Sequence, residues 1–193
     1  MRHAILDGLH ADHVNVVKIA TLIAGELATI EAGGRADLEL LEDVMTYVTG
    51  YPDTHHHPTE DIVFSQLKRA APEARGDVDA IMAEHARLIA AGRDFFGLVR
   101  AVEDEAVVTR AELLAKGKRY LDTLSEHMNK EEAGLFRLAA DRLDTADWAA
   151  IDAQVAALED PLFGATVAAD YRRLWQRIAG YPPSTAKTST PRS

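Results

Sequence analysis

Two short segments of the sequence each carry a histidine followed four positions later by a glutamate. They are HHHPTED, with His56 and Glu60, and HMNKEE, with His127 and Glu131. Residues four apart on an α-helix lie on nearly the same face, so both side chains of a pair can reach one metal ion. A single pair is weak evidence, because polar residues four apart are also common on solvated helix faces.

The pattern occurs twice, and a further histidine precedes each pair. His13, in ADH, lies 43 residues before His56, and His85, in AEH, lies 42 residues before His127. A lone histidine on an apolar helix face is usually a core residue bonded to a carbonyl group. Two matched sets change that interpretation, because burying two carboxylates among apolar side chains without compensation is costly. A pair of divalent cations compensates directly.

Four imidazoles and two carboxylates divide naturally between two metal ions, with the carboxylates as bridges. Imidazole suits iron, zinc and copper, whereas carboxylates suit harder ions or bridge two metals. Such a division leaves open positions for solvent, an oxo group or a diatomic ligand, as in reactive metal sites. The predicted metal ligands are His13, His56, Glu60, His85, His127 and Glu131.

Long helices must carry these residues, because apolar residues recur at helical rather than alternating spacing throughout the chain. Short loops between four long helices predict an all-α fold, an up-down-up-down antiparallel four-helix bundle with additional short C-terminal helices. We place the long helices at about 5–31, 38–70, 78–102 and 109–143, and the short ones at about 145–158 and 165–179.

Three regions follow from this reading of the chain. Residues 1–143 form the metal-binding bundle, residues 144–180 a helical extension packed on it, and residues 181–193 a disordered tail. The tail is predicted to be disordered because it is rich in proline, serine and threonine and has little to bury.

Two prolines conflict with a continuous second helix. Pro52 and Pro58 both lie inside the predicted 38–70 segment, and each removes a backbone donor. We favour one kinked helix in which a local bulge accommodates the prolines. The alternative is two helices joined by YPDTHHHP, with Pro58 at the first position of the second helix.

Composition narrows the function classes. The chain of 193 residues is 47% hydrophobic and 27% charged, which suits one globular domain with a real core. Its net charge of −10 argues against binding to nucleic acid or to an anionic membrane. It has no cysteine, so histidine, acidic side chains, backbone or water must hold any metal. No signal-peptide core or membrane span is predicted, which favours the cytoplasm.

In their order along the chain, these motifs resemble the hemerythrin-like family, the HHE cation-binding domains. The segments that carry the resemblance are LHADH, HHHPTED, EH at 84–85 and HMNKEE, and EDPLFG at 159–164 resembles the C-terminal extension of many bacterial members. The resemblance implies two iron ions in a non-haem di-iron centre with carboxylate and oxo or hydroxo bridges. It also implies roles in reversible oxygen binding, oxygen or redox sensing, iron handling, or responses to peroxide or nitric oxide.

The chain departs from the oxygen-carrying hemerythrins at two places. Those proteins have two histidines four apart on the third helix, whereas Ile81 and Ile89 flank His85 at that distance. Their last pair is a histidine followed five residues later by aspartate, whereas Glu131 follows His127 by four. We therefore expect one metal to have fewer histidine ligands, which favours redox turnover or sensing over stable oxygen storage.

Neighbouring residues are candidates to complete or orient the site. His57 is a candidate for the missing ligand, and the alternative is a solvated or indirect imidazole. Asp12, Asp61, Glu84 and Glu132 could orient ligand imidazoles, with simple solvation as the alternative.

The remaining histidines and the tyrosines have weaker claims. Among the tyrosines, Tyr120 is the first candidate to approach the metals, ahead of Tyr47 and Tyr51, with a core role as the alternative. We expect His3 and His55 at the surface. His10 either orients the site indirectly or is exposed, and we favour exposure.

The function predicted from these residues is a non-haem di-iron protein that binds or reacts with oxygen, peroxide or nitric oxide. Consumption of peroxide or nitric oxide would make it an enzyme, and the sequence leaves that question open. The alternative is a non-catalytic oxygen, redox or iron sensing or storage module that a partner protein reads. A bundle held together by zinc is the weakest alternative, because six ligands with two bridges exceed that need.

Overall fold

The computed structural model describes residues 3–155 and 159–180, and every regular element within these ranges is helical. The prediction of an all-α fold is confirmed, while the tail at 181–193 lies outside the described residues. The helices are α1 (Ala4–Glu31), α2 (Leu38–Val48), α3 (His57–Ala70), α4 (Arg75–Glu103), α5 (Arg110–Lys130), α6 (Phe136–Arg142), α7 (Thr145–Asp152) and α8 (Arg172–Gly180).

Polar side chains define where several helices begin. Asp37 accepts a hydrogen bond from the backbone of Leu40 at the start of α2, and Thr109 caps α5 in the same way. Asp144 and Asp147 form a reciprocal capping box at α7. Beyond the end of α1, Gly33 has a φ of 88°, a left-handed conformation that suits glycine. Residues close to these helix ends in the sequence therefore largely determine where the helices begin and end.

The second predicted helix is divided, so the prediction of one kinked helix is wrong. α2 ends at Val48, and a π-helical turn, Pro52–His56, leads into α3. The His57 N–H donates to the carbonyl of Pro52 and closes this turn. Pro52 and Pro58 each lie in the first turn of a helical segment, where a missing N–H breaks no helical hydrogen bond. The alternative of two helices is closer, but the division falls at Thr49–Gly50, and Pro58 is the second rather than the first residue of α3. The π turn is the local bulge that we expected beside the prolines.

The fourth predicted helix also contains a π-helical turn. α5 ends at Lys130, the turn spans Glu131–Leu135, and α6 continues to Arg142. The Phe136 N–H donates to the carbonyl of Glu131 across the turn. Such turns often occur at functional sites, and here each one contains or adjoins a histidine and glutamate pair.

Buried side chains form two hydrophobic clusters, one toward each end of the long helices. α1 packs against α2 and α5, and α4 packs against α2, α3 and α5. The first cluster includes Ile19, Leu41, Phe95 and Leu124. The second cluster includes Leu6, Phe64, Val78 and Leu135.

Each long helical segment passes from one cluster to the other. In α1 the change falls between Leu9 in the second cluster and Val16 in the first. In α4 it falls between Ile81 in the second cluster and Leu88 in the first. A level of the fold between the clusters is therefore left to other side chains.

The segment 159–180 packs on α2. Leu162 and Leu174 are buried in the first cluster, and Asp160 accepts a hydrogen bond of 2.8 Å from the hydroxyl of Tyr47. The helix predicted at 165–179 begins only at Arg172, after a 3₁₀ turn at Ala169–Tyr171. The helix predicted at 145–158 ends as α7 at 152, and residues 156–158 lie outside the described ranges.

By length and composition α1 could cross a membrane, which the sequence analysis did not recognise. Its apolar face is nevertheless packed inside the fold, with Leu6, Ile19 and Ile23 fully buried. Such burial is expected of a core helix, and composition alone does not separate the two cases.

Gly117 in α5 offers a test of core packing. A Cβ atom at this position would lie 2.7 Å from Leu27 Cδ2 and 2.9 Å from Phe95 Cε2. Overpacking costs about 1–3 kcal/mol, against the roughly 0.5–1 kcal/mol that alanine gains over glycine in a helix. We therefore expect Gly117→Ala to lower the free energy of unfolding measured in urea. The matched control is Gly97→Ala in α4, where a Cβ meets nothing within 4 Å. Equal stabilisation of both variants would contradict the packing described.

Candidate metal centre

The six residues predicted as ligands lie together, all buried, at the level between the two hydrophobic clusters. We call this level the polar layer. Glu60 and Glu131 have 0% exposed surface. The layer draws on every long segment of the chain, since its members are His13 of α1, His56 of the first π turn, Glu60 of α3, His85 of α4, His127 of α5 and Glu131 of the second π turn.

One side of the polar layer, the first half-site, is built by His13, His56 and one oxygen of each glutamate. Glu60 Oε1 lies 3.2 Å from His56 Nε2 and 3.6 Å from His13 Nε2. Glu131 Oε2 lies 3.4 Å from His13 Nε2. The two imidazole nitrogens are themselves 3.1 Å apart. The ligand atoms of His13, His56 and Glu60 therefore lie within 4.8 Å of one another, and Glu131 Oε2 lies beside His13.

The second half-site takes the other oxygen of each glutamate. Glu60 Oε2 lies 3.4 Å from His85 Nε2, and Glu131 Oε1 lies 3.3 Å from the same nitrogen. Glu131 Oε1 also lies 3.2 Å from His127 Nε2. Each carboxylate thus spans both half-sites, one oxygen to each.

His57 belongs to the second half-site. Its ligand atom, with those of Glu60, His85 and His127, forms a group within 4.8 Å. The His57 ring is stacked on that of His85, with centroids 4.6 Å apart. The second half-site therefore has three imidazoles and the first has two.

The nitrogen of each imidazole that faces away from the layer lies beside a carboxylate. His56 Nδ1 is 3.0 Å from Asp12 Oδ2, and His85 Nδ1 is 2.9 Å from Asp61 Oδ1. A carboxylate in this position fixes the imidazole ring and its proton on Nδ1, which leaves Nε2 free as a ligand.

The other two acids predicted to orient imidazoles occupy equivalent positions. His13 Nδ1 is 3.0 Å from Glu132 Oε1, and His127 Nδ1 is 3.5 Å from Glu84 Oε2. The sequence analysis missed a fifth acid, Asp53, whose Oδ1 is 3.6 Å from His57 Nδ1. The four-residue spacing of Asp53 and His57 was a signal that could have identified it.

Four of these outer carboxylates pair across helices rather than along them, whereas Asp53 pairs with His57 four residues along the same segment. Asp12 adjoins His13 in sequence but contacts His56, and Glu84 adjoins His85 but contacts His127. The remaining two pairs join α3 to α4 and the second π turn to α1. The four contacts close a ring around the layer, so each imidazole is held by a neighbouring segment.

With no cation bound, the acids of the layer hold protons on three of its five histidines. Burial alone lowers a histidine pKa, but the nearby carboxylates outweigh it at three positions. They raise the pKa of His13 to about 10, that of His56 to about 9 and that of His85 to about 11. Burial prevails at His57 and His127, and it lowers their pKa values.

Several buried atoms of the layer lack a hydrogen-bond partner among the described residues. They include both oxygens of Glu60, Oε2 of Glu131 and Nε2 of His127. An unsatisfied buried polar group costs about 1–3 kcal/mol, and more when charged. Convergent nitrogen and carboxylate donors are the ligands that divalent transition metals prefer. The residues present therefore fit a bound cation.

A small cavity of about 20 Å³ adjoins the polar layer on the side of the first cluster. It has room for roughly one water-sized molecule. His57 and His127 line it from the layer, and Val16, Gly92 and Tyr120 line it from the cluster. Tyr120 therefore lies beside the layer, as the first-ranked tyrosine of the sequence analysis.

The remaining histidines lie outside the layer. His10 is exposed, as expected, and its Nδ1 lies 2.8 Å from Glu132 Oε1. His3 is half-buried rather than at the surface, because its ring stacks on Trp148 with centroids 4.2 Å apart. His55 is likewise half-buried, beside Tyr51.

Cation binding should release protons from this site. His13, His56 and His85 are charged at neutral pH because their pKa values lie above it. A metal needs neutral imidazole, so loading should release about three protons per chain. Titration calorimetry in buffers of different ionisation enthalpy measures this number. The number of protons released should decline as the pH rises through about 9–11, because the metal-free imidazoles are then already losing their protons. Loading with no proton release at neutral pH would contradict the described charge balance.

The family comparison agrees with this geometry. The model of the hemerythrin HHE cation binding domain matches residues 4–139, which include every residue of the polar layer. Comparisons with curated proteins and with solved structures gave no match. A buried cluster of histidines and glutamates fits a metal-binding module. The match covers well over half of the chain, and the protein therefore belongs to the hemerythrin HHE cation-binding domain family.

Proposed function

We propose that the polar layer holds two iron ions bridged by Glu60 and Glu131, and that this centre reacts with a small oxidant. The oxidant is oxygen, peroxide or nitric oxide. The observation that carries the proposal is the position of the two glutamates, each of which presents one oxygen to each half-site. Fully buried carboxylates in that position suit bridging between two cations better than any other role.

The two half-sites would hold their ions unequally. His13 and His56 would bind the first ion, while His57, His85 and His127 would bind the second. His57 would thus supply the imidazole that the departures from the oxygen carriers leave missing. The first ion would have fewer protein ligands and more open positions for an external ligand. Bound iron would supply electron exchange with the oxidant, and the protein would supply position and enclosure.

The cavity beside the layer supports a small reactant. Its size admits a water-sized molecule, and its far wall is formed by apolar side chains such as Val16, Leu88 and Leu124. Such a wall excludes bulk water and larger substrates from the layer. Both half-sites border the cavity, since His13 and His127 line it together.

The outer carboxylates would hold the ligand imidazoles in place when the charge of the bound metals changes. Each keeps a proton on Nδ1 of its histidine, so that Nε2 stays directed at the layer. Their ring of contacts also supports the finer fold that we propose, an up-down-up-down four-helix bundle. We place the protein in the cytoplasm, in keeping with a chain that has no cysteine.

Removing one bridge tests the shared-glutamate arrangement. We expect Glu60→Ala to lower the metal content of iron-loaded protein from two ions per chain to one or fewer, because both half-sites lose an oxygen. The control is Glu126→Ala, which removes an exposed glutamate of α5. Metal analysis after gel filtration gives the ratio, and circular dichroism checks the fold. Retention of two ions by Glu60→Ala would contradict the bridging role.

Narrowing the cavity tests the path of the oxidant. A Cβ at Gly92 would lie 3.2 Å from Tyr120 Cε2 and 3.5 Å from Thr49 Cγ2, so Gly92→Ala fills space beside the layer. We expect the iron(II)-loaded variant to react with peroxide about tenfold more slowly, equivalent to about 1.4 kcal/mol. Stopped-flow absorbance of the near-ultraviolet iron bands measures the rate.

The matched control for this variant lies on the same helix. Gly97→Ala in α4 adds the same methyl group where nothing lies within 4 Å, and it should react at the wild-type rate. Equal rates for Gly92→Ala and Gly97→Ala would show that the oxidant does not use this cavity.

A further inference from the structure

Three tyrosines form a row that leads from the C-terminal segment toward the first half-site. The rings of Tyr171 and Tyr47 have centroids 5.8 Å apart, and those of Tyr47 and Tyr51 are 6.2 Å apart and nearly parallel. Tyr171 is half-buried, Tyr47 is fully buried, and Tyr51 is buried beside the layer. The row thus connects the solvent side of the segment 159–180 with the interior.

The inner end of the row touches the residues that hold the first half-site. Tyr51, Asp12 and His56 line one groove between α1, the first π turn and the C-terminal segment. Burial raises the pKa of Tyr51, and the Asp12 carboxylate that contacts His56 Nδ1 raises it further. Tyr51 therefore lines the same groove as His56 of the first half-site and Asp12, which contacts His56.

The buried Tyr47 is paired in a way that packing alone does not require. Its hydroxyl donates to Oδ2 of Asp160, which is itself buried. A buried carboxylate is costly, and phenylalanine would fill the same space without one. The turn at Leu162 uses only the other oxygen, Oδ1. Neither core packing nor the turn at Leu162 therefore accounts for the Tyr47–Asp160 hydrogen bond.

We propose that this row carries single electrons between the surface and the metal centre, with Tyr47 as the residue that is oxidised. The inference rests on the proposed function, because the oxidised iron centre is the electron acceptor. If no external reductant reaches the oxidised centre, electrons from this row would reduce it before it oxidises nearby side chains.

The transfer balances in electrons and protons. Tyr47 gives one electron to the oxidised centre by way of the Tyr51 ring, and its phenol proton moves to Asp160 Oδ2 along the 2.8 Å hydrogen bond. Tyr171 then returns an electron to Tyr47, which takes its proton back from Asp160, while the Tyr171 proton passes to solvent. A reductant of the thiol or ascorbate class restores Tyr171 with one electron and one proton.

Freeze-quench electron paramagnetic resonance of the iron-loaded full chain tests the route. After peroxide is added, we expect a tyrosyl radical signal in the wild-type protein and its loss in Tyr47→Phe. Tyr171→Phe should keep the signal and lengthen its lifetime, because Tyr47 is then restored more slowly. Asp160→Asn should lower the yield, since the amide cannot accept the proton. Trp175→Phe, at an exposed position outside the row, should keep the signal, and Tyr51→Phe and Tyr120→Phe locate the radical if it is not on Tyr47.

The outcomes separate this inference from the proposed function. Iron bands that respond to peroxide without a Tyr47-dependent radical would overturn the electron route alone. A radical that survives in Tyr47→Phe but is lost in Tyr120→Phe or Tyr51→Phe would overturn the assignment to Tyr47. A chain that binds no iron, or whose iron bands ignore peroxide, would overturn the proposed function and the route with it.

Discussion

Two glutamates without any exposed surface, set between two apolar clusters, are the constraint on which the rest of this structure depends. Glu60 and Glu131 cannot remain charged in that position without nearby positive charge. Five histidines supply it in part, and in the absence of a cation three of them stay protonated for this reason. A pair of divalent ions, as we propose, would supply the same compensation with better geometry, since one oxygen of each glutamate faces each half-site.

The surrounding fold serves to keep these groups in place. Every long segment contributes a ligand and also an acid that holds the ligand of a neighbouring segment, as Asp12 of α1 holds His56 of the first π turn. The segments therefore depend on one another for polar contacts at the layer. The two clusters on either side are built from apolar side chains. Loss of one outer acid would loosen an imidazole on another helix.

Much of the site was predictable from the sequence because its spacing is regular. The two histidine and glutamate pairs, with a histidine 43 or 42 residues ahead of each, led to every residue of the layer except His57. The all-helical fold followed from apolar periodicity. The contact partners of the outer acids were not predictable, because Asp12 and Glu84 pair with histidines on other helices, and a sequence gives no register between helices.

The errors came from backbone geometry rather than from side-chain chemistry. A π turn adds one residue to a turn and shifts the apolar pattern by one position, which is hard to distinguish from ordinary irregularity in the spacing of apolar residues. Such turns at Pro52–His56 and Glu131–Leu135 accompany both pairs, and the helix that we predicted to be continuous is divided just before the first one, at Thr49–Gly50. The sequence left the role of His57 open because the direction of its side chain depends on the first π turn.

The most direct test of the central claim is the distance between the two metals in iron-loaded protein, measured by X-ray absorption at the iron edge. Two bridging glutamates predict an iron–iron scattering path of about 3.5–4 Å, or shorter with an added oxo bridge. Two irons per chain with that path would support the shared-carboxylate centre. A single iron, or two irons with no resolved metal–metal path, would contradict it.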